Sequence, residues 1–460
     1  MTEAYVVKWI SDNIPLGDLR RSRALAQMVW GLLNAGTVTF AAIGRCMEGV
    51  APAASNIRRV FRFCHNEAIK PELVQAALVN ILVARALPSL GGFAYLAPIS
   101  FDWHTYNNGD VTGLRVNLVT GSRALPLLWY EGFTADLKGK KTKAQERAVR
   151  DLIRLRPPGV KWVILLDSGF HSAKLISLME DAGFFVNRQT VRATVHAAGQ
   201  CWKAMGELPI RIGEIVEFGW VHWTGTCPTK VRLVGARIRF RKRGARSRRS
   251  SNKHYKYTAP GLCVVITNLG QDHFDCVDVI RLYARRFEIE HSFRDLKNAT
   301  YGMDMEHVNL REPDTYNRLL CIVAIGEALL WLAGAEAERQ NLHRTHTLCR
   351  KRSGQRSDSL RNLGRYFLGQ LHFSIDRLIK THLRSALLEA PEIVGHTWRA
   401  PARIKRLKGA VLKPSELPGL PWKCTRRTKG DGRTPCCPNN WPTQEVTLTS
   451  GKPDPELKAA

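Results

Sequence analysis

Apolar positions open the chain at helical spacing. Leu25, Met28, Val29, Leu32 and Leu33 fall at i, i+3, i+4, i+7 and i+8, on one stripe of a helix. Ser55 suits the N-cap of a following short helix that carries Arg58, Arg59 and Arg62. Ile57, Val60, Phe61 and Cys64 are available to the inner side of that helix. Pro71 fits the first turn of another helix, running to about residue 87. No period-two alternation interrupts residues 1–91, which are therefore expected to form a basic helical domain.

The pattern changes near Gly92. An apolar run over 93–101 leads into Asp102, and 114–119 and 125–130 supply two further strand-like segments. A helical stretch over 145–155, a strand over 162–166 ending at Asp167, a helix over 173–181 and a short strand over 184–186 follow. Strands first in a meander and then alternating with helices predict an α/β layer with a mixed sheet. Residues 190–262 break the rhythm with alternating segments at 215–223 and 231–240, read as an antiparallel β-rich insertion. The chain resumes with a buried-strand run at 263–267 and helices over 277–298 and 313–340. The apolar run 319–335 holds Glu327 and is shorter than the ~20 residues that span a bilayer, so it reads as a buried core helix. The predicted α/β region thus covers 92–345, followed by a helical region over 346–395. The last segment, 396–460, is expected to be an extended basic tail, because ten of the 22 prolines lie from Pro391 onward.

Charge then narrows the class of partner. Across 460 residues, 69 Lys+Arg oppose 40 Asp+Glu, a formal net charge of +29. Such a field draws in polyanions and makes a purely structural or small-molecule role less natural. Residues 237–256 hold ten Lys/Arg and no Asp/Glu, interleaved with Phe240 and Tyr255. That block is either a solvated loop or a polyphosphate contact; Arg241, Lys242, Arg243 and Lys253, with Arg58, Arg59 and Arg62 of the N-terminal helical domain, are read as contacts to nucleic acid. The chain opens Met1-Thr2-Glu3-Ala4 with no apolar signal segment, and its eleven scattered cysteines suit a reducing compartment, so a cytoplasmic protein is expected.

Three acidic residues are the candidates for chemistry. Asp102 and Asp167 each follow a core strand, where open α/β sheets present their ligands. Taken singly, either could simply begin a turn or cap a helix. The segment 283–297 reads Y-x2-R-x3-E-x6-K, through Tyr283, Arg286, Glu290 and Lys297. At ~100° per residue, seven positions rotate ~700°, so these four residues are expected along one helical stripe. An ion-pair face between Arg286 and Glu290 is the plainer reading of the same stripe.

Asp, Asp and Glu in this order, with the Y-R-E-K helix and a β-rich insertion before it, resemble the bacterial DDE transposases of the insertion-sequence-four family. The nearest likeness is to the branch containing the transposon-ten transposase. Phe101-Asp102-Trp103, Leu166-Asp167-Ser168-Gly169-Phe170, Phe293-Arg294-Asp295-Leu296-Lys297 and Tyr301-Gly302-Met303 carry the resemblance, which covers roughly residues 15–340. It implies an RNase H-like catalytic core holding two divalent ions, Mg²⁺ with Mn²⁺ as substitute, on Asp102, Asp167 and Glu290. It also implies that Tyr283, Arg286 and Lys297 hold phosphates of the transposon end. The partners implied are double-stranded DNA, both transposon ends and target, and a second copy of the chain in a homodimer; no membrane is expected. Close relatives carry a Trp that stacks on a flipped base where this chain has Cys263, which leaves Trp220, Trp223 or Tyr257 as substitutes. Phe287 also departs from the Trp that many relatives have after the signature Arg.

Other readings predict different products. His291-Ser292-Phe293-Arg294 matches the H-x2-R of a tyrosine recombinase, with Tyr301 or Tyr316 as nucleophile. A nuclease of RNase H fold would cut without joining, and an inactive transposase-derived protein would only bind DNA.

Overall fold

The computed structural model describes residues 2–49, 51–87, 95–197, 202–224, 228–237, 261–300, 302–344, 359–370, 374–389 and 411–412. The chain begins with α1 (Glu3–Asn13), α2 (Leu19–Ala35), α3 (Phe40–Arg45), α4 (Ala53–His65) and α5 (Pro71–Leu82). The side chains of Asp18 and Thr39 accept backbone N–H bonds that would otherwise be unmet at the starts of α2 and α3. Gly36, at φ +70°, closes α2 in the left-handed conformation that glycine adopts without steric cost. The stripe from Leu25 to Leu33 is buried as its spacing requires.

Helix α4 corrects two expectations. It starts at Ala53 behind Pro52, so Ser55 is not its cap. That start turns Asn56, Val60, Phe63 and Cys64 inward and rotates Phe61 out, where it is 51% exposed and stacks on His65 at 4.0 Å. Helix α5 likewise ends at Leu82, with a short 3-10 turn over Ala84–Ala86.

The sheet begins with β1 (Tyr95–Tyr106), β2 (Val111–Val119) and β3 (Ala124–Phe133), an antiparallel meander. After α6 (Thr134–Leu137) and α7 (Lys141–Arg154) come β4 (Val160–Leu166), α8 (Ala173–Ala182) and β5 (Gly183–Arg188). Strands β4 and β5 run parallel to β1, giving the order β3-β2-β1-β4-β5 of an RNase H-like core. The inserted strands β6 (Thr194–His196), β7 (Lys203–Ala204), β8 (Ile215–Trp223) and β9 (Thr229–Arg237) join the same sheet through β10 (Leu262–Thr267), which is antiparallel to β5. Helices α9 (Cys276–Ala284), α10 (Phe287–Lys297), α11 (Pro313–Arg339), α12 (Leu360–Phe367) and α13 (Ile375–Leu383) follow. Two short strands, β11 (Leu388–Glu389) on β1 and β12 (Val411–Leu412) on β8, complete the described sheet.

Alternation along β4 shows why this run is a strand rather than a helix. Trp162, Ile164 and Leu166 enter a core shared with α11 and the N-terminal helices. Val163 and Leu165 enter a second core with Val279, Ile280 and Leu282 of α9. The sheet is therefore covered on both faces, as parallel strands require. Helix α11 is long and apolar enough to cross a membrane by length and composition, but 89% of its most apolar stretch is buried inside the protein.

Candidate active site

The parallel register of β1 on β4 sets the site. Its last pair is Ser100 opposite Leu165, so one and two steps further on lie Phe101 beside Leu166 and Asp102 beside Asp167. Beyond Ser100, β1 has no partner on that side among the described residues but continues to Tyr106 against β2, with Asp102 opposite Arg115. Asp102 therefore does not end its strand, as the apolar run suggested; it marks the point where one neighbour drops away. Asp167 does follow the last residue of β4, in a turn closed by Phe170 N–H donating to the Asp167 carbonyl at 3.1 Å.

Both carboxylates are fixed by the backbone beside them. The Asp102 carboxylate accepts from Trp103 N–H at 2.8 Å, and that of Asp167 from Ser168 N–H at 2.6 Å. Burial pushes the Asp102 carboxyl up to about 6, the nearby negative charges of Asp167 and Glu290 adding to it and Arg286 opposing it. Asp167 also lies 3.7 Å from the Arg188 guanidinium at the end of β5.

Glu290 reaches this corner on α10, which is fastened by its other side. Glu288, Ser292 and Asp295, at i, i+4 and i+7, all meet the β2–β3 turn. Thr120 and Gly121 N–H donate to Glu288 at 3.1 and 2.9 Å, Ala124 N–H donates to Ser292 at 2.9 Å, and Arg123 pairs with Asp295 at 2.7 Å. These three residues fasten the helix that carries Glu290; Ser292 and Asp295 stood in the motifs without this role, and Glu288 was not singled out. The i, i+4, i+7 spacing of short polar residues was the available signal.

The Y-R-E-K segment does not form one exposed stripe. Between α9 and α10 the backbone bonds run from Arg285 to Leu282, Arg286 to Tyr283, Glu288 to Arg285 and Ile289 to Arg286, a three-residue spacing that tightens the turn. Tyr283 is consequently buried in the α9 core, with the Arg188 guanidinium beside its hydroxyl. Glu290 emerges with its side chain 46% exposed. Arg286, only 2% exposed, lies between the acids, with Nη1 3.3 Å from Asp102 Oδ2 and Nη2 2.7 Å from Glu290 Oε1. Burial works against its charge, but Tyr283, Asp167, Asp102 and Glu290 together raise its pKa. All three carboxylates thus act on one guanidinium.

Lys297 lies near Glu306 at 3.6 Å and donates to the Thr105 carbonyl at 2.5 Å. Beside Glu290 opens a cleft of about 430 Å³ lined by Trp103, Thr105, Lys141, Phe293, Arg294 and Lys297. Under it, Glu131 is buried against Arg115 at 3.4 Å and His104 at 3.0 Å, a polar cluster with no signal in the motifs. Burial lowers the pKa of His104, with Glu131 opposing the shift.

The remaining residues named from sequence divide by accessibility. Arg58 and Arg62 are exposed on α4, whereas Arg59 is held by Gln27 at 2.5 Å and Asn56 at 3.2 Å. Trp220 is 43% exposed and Trp223 is 2% exposed, both on β8, three strand spacings or about 14 Å from β5. Cys263 pairs with Ala236 of β9, and burial pushes its thiol up to about 11, with Arg188 opposing the shift. Arg241, Lys242, Arg243, Lys253, Tyr257 and Tyr301 lie outside the described residues. Tyr316 is buried, stacks on Tyr106 at 5.3 Å and donates to the Val308 carbonyl at 2.6 Å, which denies it to a tyrosine-recombinase mechanism.

The donor set suits a hard divalent cation: three carboxylates from three elements, with excess negative charge balanced by arginine. Among the described residues, no group of three or more His, Cys, Asp and Glu is drawn together tightly enough to hold an ion as it stands. The Arg286 guanidinium fills the space between Asp102 and Glu290. No curated protein matches the chain. A family model described as "Transposase DDE domain" matches residues 60–325, more than half of its length. With the strand order and the Asp102, Asp167, Glu290 corner already in place, the chain belongs to the DDE transposase family.

Proposed function

We propose that the chain is a cut-and-paste transposase of the insertion-sequence-four type, nearest in its motifs to the transposon-ten branch. DDE transposases act on DNA and generally use divalent metal ions. Asp102, Asp167 and Glu290 would hold two such ions, Mg²⁺ in the ordinary case. When bound, the ions supply activation of the attacking oxygen and stabilisation of the leaving one in an in-line displacement. Arg286 and Lys297 orient phosphates, Arg286 as a fork and Lys297 as a point charge. Water attacks first to nick the transposon end. The freed 3′-OH then attacks the opposite strand, closing a hairpin on the transposon end as the flanking DNA leaves. A second water opens the hairpin, and the restored 3′-OH attacks a target phosphodiester and displaces the target's 3′-oxygen. One site serves each step because only the nucleophile changes. A homodimer pairs the two ends.

The observation carrying this reading is the β1–β4 register that sets Asp102 beside Asp167, with Glu290 reached through Arg286. Of the aromatics considered for the hairpin step, Trp223 is buried, which leaves Trp220 as the described candidate.

Purified protein with Mg²⁺ or Mn²⁺, given linear DNA bearing the element's terminal repeats and a target plasmid, is expected to release a free 3′-OH and join it to the plasmid. Cutting without joining supports the plain nuclease instead. A covalent protein–DNA adduct supports a tyrosine mechanism.

A further inference from the structure

We propose that Arg286 is a positioning residue that stands in for the metal in the free protein and yields its place when DNA arrives. The inference rests on the metal-dependent reading above. A guanidinium is permanently charged and presents a fixed fork of donors, so it can bridge two carboxylates as a small cation would. Here it joins β1 to the segment carrying Glu290, at 3.3 Å to Asp102 and 2.7 Å to Glu290. Without it, Asp102 and Glu290 would face each other across a partly desolvated corner, leaving Arg188, 3.7 Å from Asp167, to oppose the three acids.

An ion that takes the same oxygens removes both partners from a side chain that is 2% exposed. It also leaves a buried cation beside a dication. An incoming anion relieves that arrangement. A DNA phosphate matches the guanidinium fork bidentately, and Arg286 Nε has no hydrogen-bond partner among the described residues, so a donor is already free. The exposed Phe287 ring, 4.8 Å from the guanidinium, offers a face along which the side chain turns toward solvent. Metal and DNA binding are then linked, and each tightens the other by the same factor.

Mn²⁺ binding by the full chain, followed by electron paramagnetic resonance, separates the outcomes. The DNA is a pre-cut terminal-repeat duplex with a 3′-deoxy end, so no reaction runs. Wild type is expected to bind Mn²⁺ about tenfold tighter with this DNA than without it. Arg286→Met is expected to bind Mn²⁺ about tenfold tighter than wild type in the absence of DNA and to gain little when DNA is added. Arg286→Lys, a single point charge, should fall between them. An Arg286→Met protein with unchanged melting temperature that binds Mn²⁺ no better than wild type overturns the proposal. If that variant does not fold, the wild-type comparison decides: equal Mn²⁺ affinity with and without DNA overturns it. Glu290→Gln separates the two levels. If it weakens Mn²⁺ binding while Arg286→Met fails to strengthen it, only the exchange is wrong. If wild type binds no Mn²⁺ under either condition, the metal-site reading falls as well.

Discussion

Glu327 shows how one side chain can be costly within a core helix. It is the acid inside the most apolar stretch of α11, and burial pushes its carboxyl from 4.5 up to about 7, with Arg115 and Arg361 opposing. The folded protein therefore holds this proton more tightly than the unfolded chain does. Its contribution to stability is fully present below about pH 4.5 and is lost as pH rises through 7. Urea unfolding at pH 4.5, 6 and 8 should show Glu327→Gln losing this part of the pH slope. At pH 8 the variant is expected to gain on the order of 3 kcal/mol over wild type. An unchanged slope would mean that Glu327 ionises within the fold without penalty.

At the scale of elements, α4 gives a sharp contrast between neighbouring arginines. Arg58 and Arg62 face solvent, and α4 carries no acidic residue, whereas Arg59 is committed to Gln27 and Asn56. Fluorescence anisotropy with end DNA should show Arg58→Ala and Arg62→Ala each weakening binding and reducing the salt slope by about 1. Arg59→Ala should leave the slope unchanged and lower the melting temperature instead. Element types were legible from periodicity. The apolar runs at 162–166 and 184–186 and the stripe in α2 are where their spacing put them. What escaped was geometry that depends on a partner. Asp102 looked like a strand end because the apolar run stops at Phe101, while pairing to β2, invisible in β1 itself, carries the strand on to Tyr106. The stripe from Tyr283 to Lys297 assumed uniform rotation, and the 3-10 bonds at Arg285 and Arg286 broke it. Glu288 was hidden because its partners are backbone N–H groups of a turn far away in sequence.

For the whole molecule, the charge of +29 and the one acidic corner have complementary roles. A surface this basic gathers DNA without regard to sequence and makes binding steeply dependent on salt. The acids of the corner come from β1, the end of β4 and α10, separated by 65 and 123 residues in the chain, so only the assembled sheet brings them together. The two roles separate in a single variant. Glu290→Gln keeps the shape and Arg58 and Arg62 but removes one carboxylate, and the measurement is cleavage of terminal-repeat DNA in Mn²⁺ alongside binding of the same DNA. The account predicts that binding is retained and no 3′-OH is released. Cleavage at the wild-type rate would contradict the assignment of Asp102, Asp167 and Glu290 as the catalytic set.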